Sequence, residues 1–175
     1  MLGGNGRYGA RFPPEFESRA KFDQPRGVHV RSDRRYRFAV DNETLWSAIE
    51  VTEDYRRWWP WLRHLDAKGL IEGDQWQCVV QPPLPYVLRF TVSLDEVVPG
   101  RLAVATIDGE IQGDARLEID PASDGEGCHA RLVSHLSPVN GVLRTIARVA
   151  RPIAQFGHDW VLDTGARQFR ARALR

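Results

Sequence analysis

At 175 residues, with 42% hydrophobic and 27% charged positions, the chain has the length and balance of one domain with a real core. The formal net charge of +1 supplies no global field for nucleic acid, and no apolar run reaches the roughly 18 residues of a membrane-spanning helix. The start lacks the apolar stretch of a secretory signal, so a cytoplasmic protein is expected, with Cys78 and Cys128 as buried thiols rather than a disulfide.

Residues 1–27 carry five Gly and three Pro among several Arg, and read as a flexible leader. Their scattered Tyr8, Phe12, Phe16 and Phe22 leave a docking arm as the alternative. The folded domain is expected over 28–175. A strand starts near Val28, where Tyr36, Phe38 and Val40 alternate with Arg35, Arg37 and Ala39. Asp41 or Asn42 then caps a short helix whose buried stripe is Leu45, Trp46 and Ile49. Thr52 and Asp54 open a second short helix through Tyr55, Trp58 and Trp59, stopped by Pro60. Four of the six tryptophans, Trp46, Trp58, Trp59 and Trp61, crowd this stretch. They form either a packing cluster or, with one ring turned outward, the rim of an apolar opening.

Strand-like segments follow, with a turn signal every ten residues or so. Leu65 to Ile71 ends at Glu72-Gly73-Asp74. Trp76, Cys78 and Val80 alternate with polar neighbours until Pro82, Pro83 and Pro85. Tyr86, Leu88, Phe90, Val92 and Leu94 make the clearest period-two run. Arg101 to Ile107 leads into Asp108-Gly109, a hairpin signal. Ile111 to Ile119 and Cys128 to Leu136 alternate in turn.

The last stretch, Asn140 to about Arg172, has helical periodicity. Leu143, Ile146, Ala150, Ile153, Ala154, Gly157, Trp160, Val161 and Thr164 share one arc, with Arg144, Arg148, Arg151, Gln155 and Asp159 opposite. Asn140 is the expected N-cap, and Pro152 should kink a rod of roughly 45 Å. The middle of the arc is small: Ala150, Ala154, Gly157. Either a backbone presses close there or space is left open. Successive short-turn strands pair as antiparallel neighbours, and only the terminal helix is long enough to cover their apolar face. The expected class is therefore α+β: a twisted antiparallel sheet wrapped around one long C-terminal helix.

Val40-Asp41-Asn42-Glu43-Thr44-Leu45-Trp46-Ser47-Ala48-Ile49, followed by Trp58-Trp59-Pro60, resembles the opening of START-like helix-grip (SRPBCC) proteins. The ending His158-Asp159-Trp160-Val161-Leu162, then Gly165-Ala166-Arg167, is similar to the polyketide cyclase/dehydrase and lipid transport branch, relatives of the birch-pollen allergen fold. The resemblance covers about residues 30–172. It implies a seven-stranded antiparallel sheet gripping the helix, an apolar cavity between them, and a lipid, polyketide or other hydrophobic guest. Some members cyclise or dehydrate such guests.

The candidate guest-binding residues are Trp59, Trp76, Tyr86, Leu88, Phe90, Ser134, Ala150, Ala154, Gly157, His158 and Val161. Tyr86, Ser134 and His158 would orient the guest, and His158 or Tyr86 would move protons if there is chemistry. His158 and Asp159 are adjacent on a helix, about 100° apart, so they cannot pair as in a catalytic triad. His129 and His135 lie roughly 20 Å apart on one strand, and no metal spacing or phosphate-binding loop is present, so neither metal nor cofactor is expected. Arg144, Arg148 and Arg151 read as a solvated face, with an acidic partner or anionic headgroups as the alternative. The preferred function is binding of a hydrophobic small molecule by a monomer or homodimer. The alternatives are a cyclase or dehydratase acting on such a guest, and a protein-interaction module whose pocket is filled.

Overall fold

A computed structural model describes residues 29–84, 86–139, 141 and 151–174, without the side chains of 151, 153 and 154. The expected leader, the cap at Asn140, and Arg144, Arg148 and Ala150 lie outside the described residues. So do the side chains of Arg151 and Ala154.

Seven strands make one antiparallel sheet: β1 (Val30–Phe38), β2 (Leu62–Asp66), β3 (Gln75–Val80), β4 (Leu88–Val98), β5 (Leu102–Gly109), β6 (Ile111–Pro121) and β7 (Cys128–Pro138). Their order is β1-β7-β6-β5-β4-β3-β2. The meander from β2 to β7 follows from short turns between alternating runs. β1 closes it by pairing with β7, Val30 opposite Leu136 and Phe38 opposite Cys128. Helices α1 (Asn42–Glu50) and α2 (Tyr55–Trp58), joined through a 3₁₀ turn at Thr52–Asp54, carry the chain from one sheet edge to the other. Asp41 caps α1 by accepting from the Thr44 amide at 2.7 Å, which satisfies one of the orphan N–H groups of the first turn. Helix α3 (Arg151–Arg172) is the described part of the long C-terminal element.

Two boundaries differ from the alternation. The strand expected over Leu65–Ile71 is instead Leu62–Asp66. The Asp74 carboxylate accepts from the amides of Lys68 at 2.8 Å and Gly69 at 3.2 Å, and the Trp76 indole donates to the Gly69 carbonyl at 2.9 Å. These bonds draw the chain off the ladder, and Ile71 is left 60% exposed. The second boundary is at Tyr86. β4 begins at Leu88, because the proline-rich approach offers too few N–H groups for a ladder.

The inward face of β7 carries Cys128, Ala130, Leu132, Ser134 and Leu136, and the outward face carries charge. There Arg131 meets Asp33 at 2.6 Å and His135 meets Asp114 at 3.2 Å. Such exposed pairs contribute at most about 1 kcal/mol each. Gly113 of β6 (φ 150°) pairs with both Ile107 and Leu136, and a Cβ on it would run into the His135 carbonyl of the neighbouring strand. Both cysteines are free and buried, and burial pushes the Cys78 thiol up to about 12, which makes it inert at neutral pH.

Helix α3 lies on the inner face of the sheet and is tied at several points. Arg34 of β1 meets Asp159 at 3.0 Å, and the Tyr36 hydroxyl donates to Asp163 at 2.8 Å. The Arg170 guanidinium donates to the Arg37 carbonyl at 2.7 Å. Toward the end of α3, the indole N–H of Trp59 donates to the Gly165 carbonyl at 2.9 Å and that of Trp61 to Gln168 at 3.1 Å. Arg172 caps the carbonyls of Arg57 and Trp58 at 2.9 and 2.6 Å. Phe169, 5% exposed, meets Phe38 edge-on at 6.0 Å and Trp58 at 5.2 Å between ring centres. Trp59 and Trp61 stack at 5.7 Å. The tryptophan-rich segment is thus a packing cluster around the end of α3, and edge-to-face pairs of this kind add about 0.5–1.5 kcal/mol each beyond burial.

Candidate functional site: an apolar cavity between sheet and helix

Away from the tryptophan cluster, sheet and helix part. A cavity of about 240 Å³ lies between them, at the end of the sheet where β1, β6 and β7 meet the earlier turns of described α3. Small-molecule sites usually span about 300–1,000 Å³, so this one is at the small end. Six of the seven strands supply wall residues by their alternation. β4 contributes Leu88 and Phe90, β5 Ile107, β6 Ile111 and Ala115, and β7 Leu132, Ser134 and Leu136. Val30, Val80, Pro82 and Tyr86 extend the wall, and α3 adds Gly157, His158, Val161 and Leu162.

The floor stays low for a reason visible in the register. Ala115 sits between Ala105 of β5 and Ser134 of β7, so three small side chains lie abreast. On the helix side, Gly157 admits a close approach. A Cβ there would meet Leu84 Cδ1 at 2.6 Å and the Tyr86 hydroxyl at 3.2 Å. The small residue at this point therefore serves contact with the segment before β4, and the segment in turn walls the cavity.

Of the residues expected to bind a guest, the structure brings Tyr86, Leu88, Phe90, Ser134, Gly157, His158 and Val161 together around this space. Trp59 and Trp76 lie elsewhere, among the rings that surround Tyr55, at 4.7 and 6.0 Å from it. Their indole N–H groups are already spent on the Gly165 and Gly69 carbonyls. Sequence reasoning missed Val30, Ile107, Ile111, Ala115 and Leu136. Each faces the same side of the sheet as Phe90 or Ser134, so strand order would have found them.

The wall is almost wholly apolar. Its polar side chains among the described residues are Tyr86, Ser134, Ser137 and His158. Ser134, 4% exposed, has its Oγ 3.0 Å from His158 Nε2. Burial holds the His158 imidazole below its usual pKa; the Arg34 guanidinium pushes the same way, and Asp159 opposes both. Asp159 does not reach back to the ring, since its carboxylate accepts from Arg34 at 3.0 Å and from the Gln155 amide at 2.9 Å. Ser137 Oγ is 2.7 Å from His29 Nδ1. Burial also raises the Tyr86 hydroxyl. At neutral pH the wall thus presents hydroxyls and an uncharged imidazole to whatever enters. Among the described residues, no three His, Cys, Asp or Glu side chains gather as a metal site. No helix there is long and apolar enough to cross a membrane.

No family model and no curated protein sequence matches the chain. Solved structures do match it in shape. One is the di-domain ARO/CYC protein BexL of the BE-7585A biosynthetic pathway, at TM-score 0.66 and 10% identity over 85% of this chain; the chain spans about half of that protein, 51% of its length. Another is Ara h 8.0201, at TM-score 0.60 and 11% identity over 83% of this chain and 98% of that one. A third is SA2116 from Staphylococcus aureus, a protein of unknown function, at TM-score 0.60 and 13% identity over 86% of this chain and 99% of that one. The seven-stranded antiparallel sheet, the two short helices after β1 and the gripped C-terminal helix give this chain the helix-grip fold, shared with these structures.

Proposed function

We propose that this protein binds a hydrophobic small molecule, lipid- or polyketide-like, between the sheet and α3. The observation that carries this reading is the apolar cavity, walled by residues from six strands and the helix. Cores normally close to near-crystal density, and this one does so around Phe169 but not around His158. A guest that buries about 200 Å² of apolar surface gains roughly 5 kcal/mol before the cost of association. The likeness in fold to an ARO/CYC protein of a biosynthetic pathway is consistent with a guest of this kind. Native mass spectrometry of protein purified from its own host tests it: a retained small molecule, released on unfolding, is the expected result. Apolar probes that fail to bind, together with a co-purifying protein, would favour an interaction module instead.

A second reading has one observation behind it. An uncharged imidazole 3.0 Å from a hydroxyl, in an apolar wall, is poised to accept a proton. If the protein is a cyclase or dehydratase, His158→Ala should bind the guest and lose turnover. Unchanged turnover removes His158 from that role.

A further inference from the structure

We infer that the guest is an uncharged molecule carrying a single carbonyl or hydroxyl group, held by Ser134 and His158, and that the site rejects carboxylates. This deepens the binding function proposed above and rests on it. The argument starts from the hydrogen-bonding capacity of the pair. A serine hydroxyl has one donor and two acceptor positions, and a neutral imidazole has one donor and one acceptor nitrogen. When His158 Nε2 carries the proton, it donates to Ser134 Oγ, and the serine proton is free for a guest carbonyl. When Nε2 is bare, Ser134 donates to it, and the lone pairs on Oγ are free for a guest hydroxyl. Both states keep the 3.0 Å contact. The pair therefore adapts to either neutral group.

It cannot adapt to an anion in the same way. Ser134 offers at most one proton, and Tyr86 and Ser137, the other polar wall residues among those described, are uncharged as well. The charged groups nearest His158 do not line the cavity: Arg34 Nη2 meets Asp159 at 3.0 Å, and its Nε lies 3.9 Å from Asp163 without a hydrogen bond. A carboxylate in this cavity would gain a cation only by protonating His158, whose imidazole burial holds neutral, so at pH 8 it would lose hydration with little return. Size narrows the class further. An apolar cavity of about 150 Å³ takes benzene, so 240 Å³ encloses about ten non-hydrogen atoms. One or two fused rings match that better than a long acyl chain.

Three probes of one shape that fit within about ten non-hydrogen atoms test this: acetophenone, benzoate and ethylbenzene, titrated into the protein at pH 8 and followed by calorimetry or intrinsic tryptophan fluorescence. The ketone should bind at least about tenfold more tightly than the acid. It should also bind about threefold to tenfold more tightly than the hydrocarbon, and Ser134→Ala should erase that second advantage while the hydrocarbon still binds. If the hydrocarbon binds and the acid matches or exceeds the ketone, the charge selection is wrong and the cavity reading survives. Should Ser134→Ala leave the ketone's advantage intact, the assigned anchor is wrong. If none of the three binds, the binding function and this inference fall together.

Discussion

Toward its C-terminal end, α3 presses Phe169 against Phe38 and Trp58 and buries it. Toward the other end, Gly157, His158 and Val161 of the same helix face an apolar hollow across the same sheet. The two regions differ in side-chain volume rather than in architecture. The filled end receives tryptophans and tyrosine from α2 and its flanks, whereas the hollow end meets the small side chains of Ala115 and Ser134. One end of the interface holds the fold together, and under the proposed binding function the other holds the guest. Stability and binding should therefore separate by position along one helix.

The largest effect is expected at the filled end. Phe169→Ala should cost about 3–5 kcal/mol, a fall in Tm of roughly 6–20 °C, measured by denaturant and thermal unfolding. A loss below about 1 kcal/mol would erase the contrast. At the hollow end the outcome reverses. Ala115→Leu places bulk in the cavity, so stability should change by less than about 1.5 kcal/mol while the affinity for acetophenone drops at least about tenfold. Calorimetry alongside unfolding reads both.

A third test uses pH. Burial lowers the His158 pKa in the folded state, so below the ordinary value of about 6.5 the unfolded chain binds more protons than the folded one. Stability from this group is complete above that pH and is lost as pH falls toward the lowered pKa. His158→Gln should flatten that part of the stability profile, and an unchanged slope would mean that the ring is not held neutral. The smallest effect belongs to the clamp between β1 and α3. Arg34→Met removes a partly exposed ion pair and should cost no more than about 1 kcal/mol in denaturant unfolding.

Much of the fold was legible in the sequence because alternation survives wherever one sheet face is wet. β4, β6 and β7 show it, and Asp41 announces α1 through a local cap. β2 was misplaced because its end is set by side chains acting at a distance: Asp74 and Trp76 hold Lys68 and Gly69 off the ladder, and no periodicity records that. The cavity was half legible. Parity placed Leu88, Phe90 and Ser134 on the inner face, and the helical wheel placed Gly157, His158 and Val161 opposite. What parity cannot give is the level along each strand at which neighbours meet. Ala115 beside Ser134, and Ile107 beside Gly113, appear only once the register is known. The same limit explains Trp59 and Trp76. Their size makes them natural wall candidates, but their indole N–H bonds anchor them to carbonyls away from the hollow.

Gly113 bears on how such a protein can diversify. Its bare backbone sits against the carbonyl of the adjoining strand, so no side chain can be added there without parting the ladder. That patch of floor is fixed by main-chain geometry, and mutation cannot raise it. Under the proposed binding function, descendants that take larger or smaller guests would change the side chains around that fixed point, such as Ala115, Ile107 and Leu136, rather than the point itself.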